Sequence, residues 1–191
     1  MEFTHKILVC LFLLTIVLRI WELRIAKRNK FLREKVHSNL QQKEPYYFLF
    51  FVLHTSFLLF TPLEVFIFQR PFIWILGILS VFIYFFCLVL RFHIIKELGT
   101  SWNTEILSHP STDTIVTTGI YSKIRHPNYL VVILEIFSLS LFHSAWISLV
   151  IFSSLNLILL LKHRIPLEEA VLFQNPKYKA HFENKNRFFP L

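Results

Sequence analysis

Glycine is scarce in this chain, three residues in 191, and the three stand apart at Gly77, Gly99 and Gly119. Isolated glycines cannot build a phosphate-cradling loop or the G-x-G-x-x-G turn of a Rossmann dinucleotide site. Cysteine is equally sparse. Cys10 and Cys87 each lie in an apolar run with no Cys/His ligand spacing nearby, which excludes a disulfide framework and a zinc site and leaves them as small apolar residues. No Ser-His-Asp order and no metal-binding histidine pair occurs, so the sequence assigns no metal. Acidic residues number 12 against 20 Lys and Arg, a formal net charge of +8. Those cations flank hydrophobic runs, where they orient a membrane protein; nucleic acid is not an expected partner.

What is abundant is apolar. Hydrophobic residues make up 54% of the chain, 22 of them Phe, and mean hydropathy is +0.54. They come in blocks of about 20 residues, the length that crosses a ~30 Å hydrocarbon core. The first block runs from about Ile7 to Leu23 and is followed by Arg24, Lys27, Arg28, Lys30, Arg33 and Lys35. With no small-residue cleavage pattern, this is a retained helix with a stop-transfer flank in preference to a signal peptide. Further spans are expected over about 46–68, 72–92, 129–142 and 146–161, with tight turns at Gln69-Arg70-Pro71 and His143-Ser144-Ala145. The 129–142 stretch is short for a crossing and is either tilted or half of a re-entrant hairpin.

The expectation is therefore an all-α polytopic membrane protein of about five helices forming a single domain over 1–191. Lys and Arg concentrate in 24–45, 93–128 and the tail after 162, which five spans place on one side, the cytoplasm. The N-terminus is then outside and the C-terminus cytoplasmic.

Most of the distinctive polar residues fall on that side. Gly119 permits a turn, and Pro127 can begin a helix just before an apolar run. Arg125 and His126 then sit at a helix N-terminus, either to hold a polar or anionic group or as cations reaching lipid phosphates. Arg164 and Glu168 are four apart and share a helix face, as a ligand site or a surface ion pair; Pro166 weakens the helix there. Glu64, Glu135 and Asn156 are polar at membrane depth, where carboxylates carry a functional expectation. Glu64 lies near the outer end, within reach of headgroups, while Glu135 is placed to face a ligand cavity. His54 is expected to join two helices by a hydrogen bond.

Several segments in order resemble the isoprenylcysteine carboxyl methyltransferase family. They are Glu97-Leu98-Gly99 with Trp102-Asn103, Ile115-Val116-Thr117-Thr118-Gly119-Ile120-Tyr121, and Arg125-His126-Pro127-Asn128-Tyr129. Arg164 with Glu168-Glu169, and Tyr178 with Arg187-Phe188-Phe189-Pro190, complete the pattern over the C-terminal half. The resemblance implies an S-adenosylmethionine-dependent methyltransferase with three N-terminal helices (1–92) and a cofactor-binding catalytic half (93–191) containing a helical hairpin. By that similarity Val116, Tyr121, His126, Pro127, Asn128, Tyr129 and Glu168 line the cofactor site, and Arg164 contacts the group being methylated. A lipophilic or prenylated acceptor is implied, entering between membrane helices, with membrane lipids around it and no obligate protein partner.

Val131 and Phe182 stand where the family usually has Gly and Tyr. Those departures, with Trp102–Leu107 and His126–Glu135, look closer to a bacterial branch that methylates long-chain alkylpyrones or alkylresorcinols, in an inner membrane. A carboxylate acceptor needs no base and is oriented by Arg164. A phenol or enol needs one, and Glu135, Glu168 and His126 are the candidates. Two other activities compete: phospholipid N-methylation and an NADPH-dependent reduction of the sterol-reductase type, which shares an Arg-His-Pro-like element.

Overall fold

The computed structural model describes residues 3–36, 41–42, 44–108 and 115–190. Helix α1 (Phe3–Val36) is a single rod of 34 residues. It is followed by α2 (Tyr47–Ile67) and α3 (Trp74–Leu98), then by α4 (Pro127–Leu141) and α5 (Trp146–Leu159). Two short helices, α6 (Ile165–Leu172) and α7 (Pro176–Phe182), close the chain. Among the described residues the only strand pairing is a two-residue antiparallel ladder, β1 (Gln41–Gln42) on β2 (Leu107–Ser108). The protein is all-α.

Among the described residues, three stretches are long and apolar enough to cross a membrane: Tyr47–Ile67, Trp74–Ser101 and Trp146–Leu172. Only 22–33% of each is buried in the protein. Phe48, Phe51, Phe82, Phe86 and Val150 are all more than half exposed, and an apolar surface on this scale is stable only against lipid. The chain is an integral membrane protein. Helix α4 has 15 residues, about 22 Å of rise, and so falls short of a full crossing, in keeping with the shortness read from its sequence.

The apolar blocks became helices largely as their spacing dictates, and one irregularity matters for the site. From the sequence, Pro166 is expected to weaken the helix that carries Arg164 and Glu168. There α5 runs on into α6 through a wide turn at Leu160–Arg164, in which the Ile165 N–H reaches back five residues to the Leu160 carbonyl. A regular turn would press the Pro166 ring against the carbonyl four residues before it. Widening by one residue relieves this, and such bulges often mark functional positions. Here it carries Arg164, 9% exposed, into the protein.

Three apolar clusters pack along the bundle, a small one around Phe50, Tyr129, Leu160 and Ile165 and two larger ones. One, around Leu8, Phe12, Phe57, Tyr84 and Leu139, joins α1, α2, α3 and α4. The other, around Ala26, Ile94, Trp102, Val131, Tyr178 and Phe182, draws the C-terminal helices against α1, α3 and α4. Glu64, expected near headgroups, is instead 6% exposed. Its carboxylate accepts the Ile147 and Ser148 N–H groups at 3.0 and 2.7 Å and pairs with Arg70 at 2.8 Å. It caps the N-terminus of α5. His54 bonds within its own helix, Nδ1 donating to the Phe50 carbonyl at 2.8 Å, and does not join two helices.

Candidate active site

At the polar end of the bundle the chain from Arg125 onward is held by its own tail. The Arg125 and His126 N–H groups donate to the carbonyls of Asn186 and Arg187 at 3.0 and 2.9 Å. Pro127 then opens α4 as its first residue, the position where a missing N–H costs nothing. Gly119 turns the chain just before this with φ +54°, and a Cβ there would lie 1.6 Å from Glu97 Oε1. Only glycine fits both the left-handed backbone and that close approach.

Glu169 ties the pieces together. His126 Nε2 meets its Oε1 at 3.0 Å, Arg187 contributes bonds of 3.1 and 2.6 Å, and Arg125 Nη1 lies at 3.2 Å. The carboxylate fixes the imidazole with its other nitrogen, Nδ1, 3.6 Å from Glu168 Oε2. Glu168 itself has no arginine partner.

Around these groups is a cavity of about 150 Å³. Val116, Tyr121, His126, Asn128, Tyr129, Arg164 and Glu168 all line it, so seven of the expected site residues converge there. Pro127 is buried at the helix start and shapes the backbone without facing the cavity. Trp102, Asn103, Arg33 and Tyr178 also contribute to the wall. Trp102 and Tyr178 belong to the motif segments, yet nothing in their spacing marks them as lining. Burial pushes the Tyr121 and Tyr178 phenols up, and nearby Glu168 adds to this, so both stay neutral donors. Trp102 Nε1, Tyr178 Oη and Glu168 Oε2 are buried without a hydrogen-bond partner among the described residues. Unpaired buried polar atoms are costly; three on one cavity wall form a polar socket.

A second cavity, about 210 Å³, lies on the membrane side. Phe50, Phe51, Leu58, Val132 and Leu160 make it largely apolar, and Arg19, Glu22, His54 and Arg91 also line it. Trp102, Asn103, Asn128, Tyr129 and Arg164 line both cavities and form the wall between them. Arg164 is the most connected of these. Its Nε donates to Tyr129 Oη at 2.8 Å, Nη2 to the Thr104 carbonyl at 2.6 Å and Nη1 to Glu44 Oε1. Its ion-pair partner is thus Glu44, 120 residues away in sequence, and not Glu168 on the next turn.

Glu135 is not brought to the first cavity. Its Oε2 accepts from Arg19 at 2.6 Å and Arg91 at 2.7 Å, and Glu22 pairs with Arg19 at 2.6 Å and Arg91 at 3.5 Å. Arg91 Nη1 also donates to Asn128 Oδ1. The four charges sum to zero and bind α1, α3 and α4 at a buried level. Arg19 and Arg91 were visible as charges inside apolar runs, the ordinary signal of an intramembrane function, and pairing them with Glu135 required the fold.

The isoprenylcysteine carboxyl methyltransferase (ICMT) family model matches residues 78–174, which includes α4, α5, the wide turn and Glu168. The uncharacterized protein YpbQ of Bacillus subtilis (strain 168) is 34% identical over 158 residues, covering 82% of this chain and 91% of that protein. Helices exposed to lipid, a polar socket built from Tyr121, His126, Asn128 and Glu168, and these two matches agree: the chain belongs to the isoprenylcysteine carboxyl methyltransferase family of membrane methyltransferases.

Proposed function

We propose that this protein is an S-adenosylmethionine-dependent O-methyltransferase acting on a lipophilic acceptor that enters from the bilayer. The observation that carries this reading is the pair of cavities, one polar and one apolar, separated only by Arg164, Tyr129, Asn128, Trp102 and Asn103. A water-soluble cofactor and a lipid acceptor need such an arrangement to meet from two phases.

The residues of the polar cavity suit the cofactor. Glu168, with an open carboxylate oxygen and no arginine, complements a cation. Trp102 Nε1 and Tyr178 Oη offer donors to polar substituents, and Val116 and Tyr121 supply apolar contact for a flat base. When bound, the cofactor supplies an electrophilic methyl on a sulfonium. Its chemistry would balance as an O–CH₃ bond gained for the S–CH₃ bond lost, with the electron pair kept on sulfur as a neutral thioether. The chain excludes water from the junction, so that charge is neutralised with little solvent reorganisation, and Arg164 with Tyr129 orients the acceptor oxygen. For a hydroxyl acceptor the released proton goes to Glu168, whose Oε2 is unpartnered. Glu135, shared by two guanidiniums, is a positioning residue that holds Arg91 and through it Asn128.

The reductase alternative is disfavoured by the charges: Arg125 is paired with Glu169 and Arg164 with Glu44, leaving neither for the phosphates of NADPH. We further propose five membrane-inserted helices, with α1 and the short α4 joining the three long spans, the N-terminus outside and the polar end facing the cytoplasm of a bacterial inner membrane.

The test is methyl transfer from radiolabelled S-adenosylmethionine to long-chain alkylresorcinol, alkylpyrone and prenylcysteine acceptors by detergent-purified protein. Label entering any of these, lost in Arg164→Met, is expected. Label in phosphatidylethanolamine alone would replace O-methylation with phospholipid N-methylation.

A further inference from the structure

The membrane-side cavity turns polar away from the junction, at Arg19, Glu22, His54 and Arg91. Next to it lies a smaller cavity of about 20 Å³ that shares Arg19, His54, Leu58 and Val132 with it. Thr15, Phe57 and Leu139 set this smaller cavity deeper in the bundle, and Glu135 lines it too. A space for an alkyl tail alone has no use for charged side chains at this depth, where they are costly. The cations are committed. Arg19 bonds to Glu22 and Glu135, Arg91 bonds to Asn128 and Glu135 with its Nε 3.5 Å from Glu22, and Arg164 is paired with Glu44. Three anions on three cations leave no net charge for an ionic ligand. What stays open are hydrogen-bond acceptors. Glu135, 5% exposed, keeps its Oε1 buried without a hydrogen-bond partner among the described residues. His54 donates from Nδ1 to the Phe50 carbonyl, so that in the neutral ring Nε2 is an acceptor, and no described residue bonds to Nε2.

We infer that His54 and Glu135 form a second recognition point for the lipid, at which a neutral hydroxyl on its tail, about two helical turns from the junction, shares its proton between His54 Nε2 and Glu135 Oε1. The identity of that lipid as the methyl acceptor rests on the methyltransferase reading above; the tail hydroxyl is additional to the group being methylated. Its spacing follows from α2. Tyr47 stands at the junction, its hydroxyl 3.4 Å from Oγ1 of Thr104, whose carbonyl takes Arg164 Nη2. His54 lies two turns farther along the same helix, a rise of about 10 Å. A hydroxyl is about the size of a water, for which the smaller cavity has room. It satisfies an orphan acceptor without adding charge. A carboxylate there would face Glu135 and an ammonium would face Arg19, both on the wall of the smaller cavity. A methylene would leave Glu135 Oε1 buried and unpaired.

Long-chain alcohols of equal length separate the cases, each titrated calorimetrically into full-length protein in detergent. One is a simple primary alcohol, one carries a second hydroxyl about eight carbons along to match the rise of about 10 Å, and one carries it at the far end. The wild type is expected to bind the mid-chain diol roughly tenfold more tightly than either of the others. His54→Phe keeps a ring and removes the acceptor nitrogen, and should cut that preference to less than about threefold. Thermal unfolding checks that the variant is folded, and the wild-type comparison decides the matter if it is not. A wild type indifferent to the mid-chain hydroxyl, the result expected if water alone fills the smaller cavity, overturns the inference. So does an equal gain from the far-end hydroxyl, or a preference unchanged in folded His54→Phe. Methyl transfer from S-adenosylmethionine, measured separately, reports on the underlying reading. Its absence with the diol preference intact removes the methyltransferase and leaves the lipid site; its presence without the preference removes the site alone.

Discussion

Two groups of buried charge lie along the same bundle, and they are built differently. In the deeper group, Arg19, Glu22, Arg91 and Glu135 partner one another, two cations with two anions. At the polar end His126, Arg125 and Arg187 are clamped by Glu169 and Arg164 by Glu44, yet Glu168 Oε2, Trp102 Nε1 and Tyr178 Oη have no hydrogen-bond partner among the described residues. A charge inside a membrane protein does not by itself mark chemistry. Glu135 looks like a base in the sequence and turns out to be shared by two arginines in a charge-balanced cluster, with its Oε1 left over, whereas Glu168 has no arginine and stands on the polar cavity wall. Several unpartnered atoms converging on one cavity wall are what point to a ligand.

Removing one member of the charge-balanced cluster should break it most severely. Glu135→Ala leaves two guanidiniums buried with one carboxylate, and a buried pair broken on one side costs about 3–5 kcal/mol. Thermal unfolding in detergent is expected to show a large loss of stability, with Glu135→Gln only partly better. Glu168→Ala should do the reverse. Its charge is not part of a closed pair, so folding changes little, while S-adenosylmethionine affinity falls roughly tenfold to a hundredfold by calorimetry. Should Glu168→Ala unfold the protein and Glu135→Ala remain folded with weakened cofactor binding, the contrast is inverted and the assignment of the two regions fails.

Gly119→Ala gives an intermediate effect. It imposes φ +54° on a residue with a Cβ and drives that Cβ into Glu97, at about 1–2 kcal/mol for the left-handed backbone alone. Because the turn precedes Tyr121 and the Arg-His-Pro segment, cofactor affinity should fall along with stability. The smallest change is expected from Tyr178→Phe, which removes an unpartnered hydroxyl: stability stays within about 1 kcal/mol and cofactor affinity drops by no more than about tenfold. A stabilised Tyr178→Phe protein with unaltered binding would show that the hydroxyl serves no ligand.

The parts legible in the sequence were those fixed by neighbours. Apolar runs of membrane length, the tight turns around Arg70 and Ser144 and the start of α4 at Pro127 follow from local chemistry, and the motif residues Val116, Tyr121, His126, Asn128 and Tyr129 with Arg164 and Glu168 do line one cavity. What escaped depends on contacts between distant segments. Glu44 meets Arg164 across 120 residues and Arg19 meets Glu135 across 116, and no spacing rule reports either. The weakening expected at Pro166 takes the form of a wide turn, in which one added residue relieves the proline clash without ending the helix. Glu64 was misplaced because capping α5 requires knowing that α2 and α5 pack side by side.

The most direct test of the account is calorimetric titration of detergent-purified protein with S-adenosylmethionine and, separately, with NADPH, repeated with Glu168→Ala and His126→Ala. Saturable binding of S-adenosylmethionine, weakened in both variants and absent for NADPH, is the predicted result. Binding of NADPH alone, or S-adenosylmethionine binding that ignores both substitutions, would contradict it.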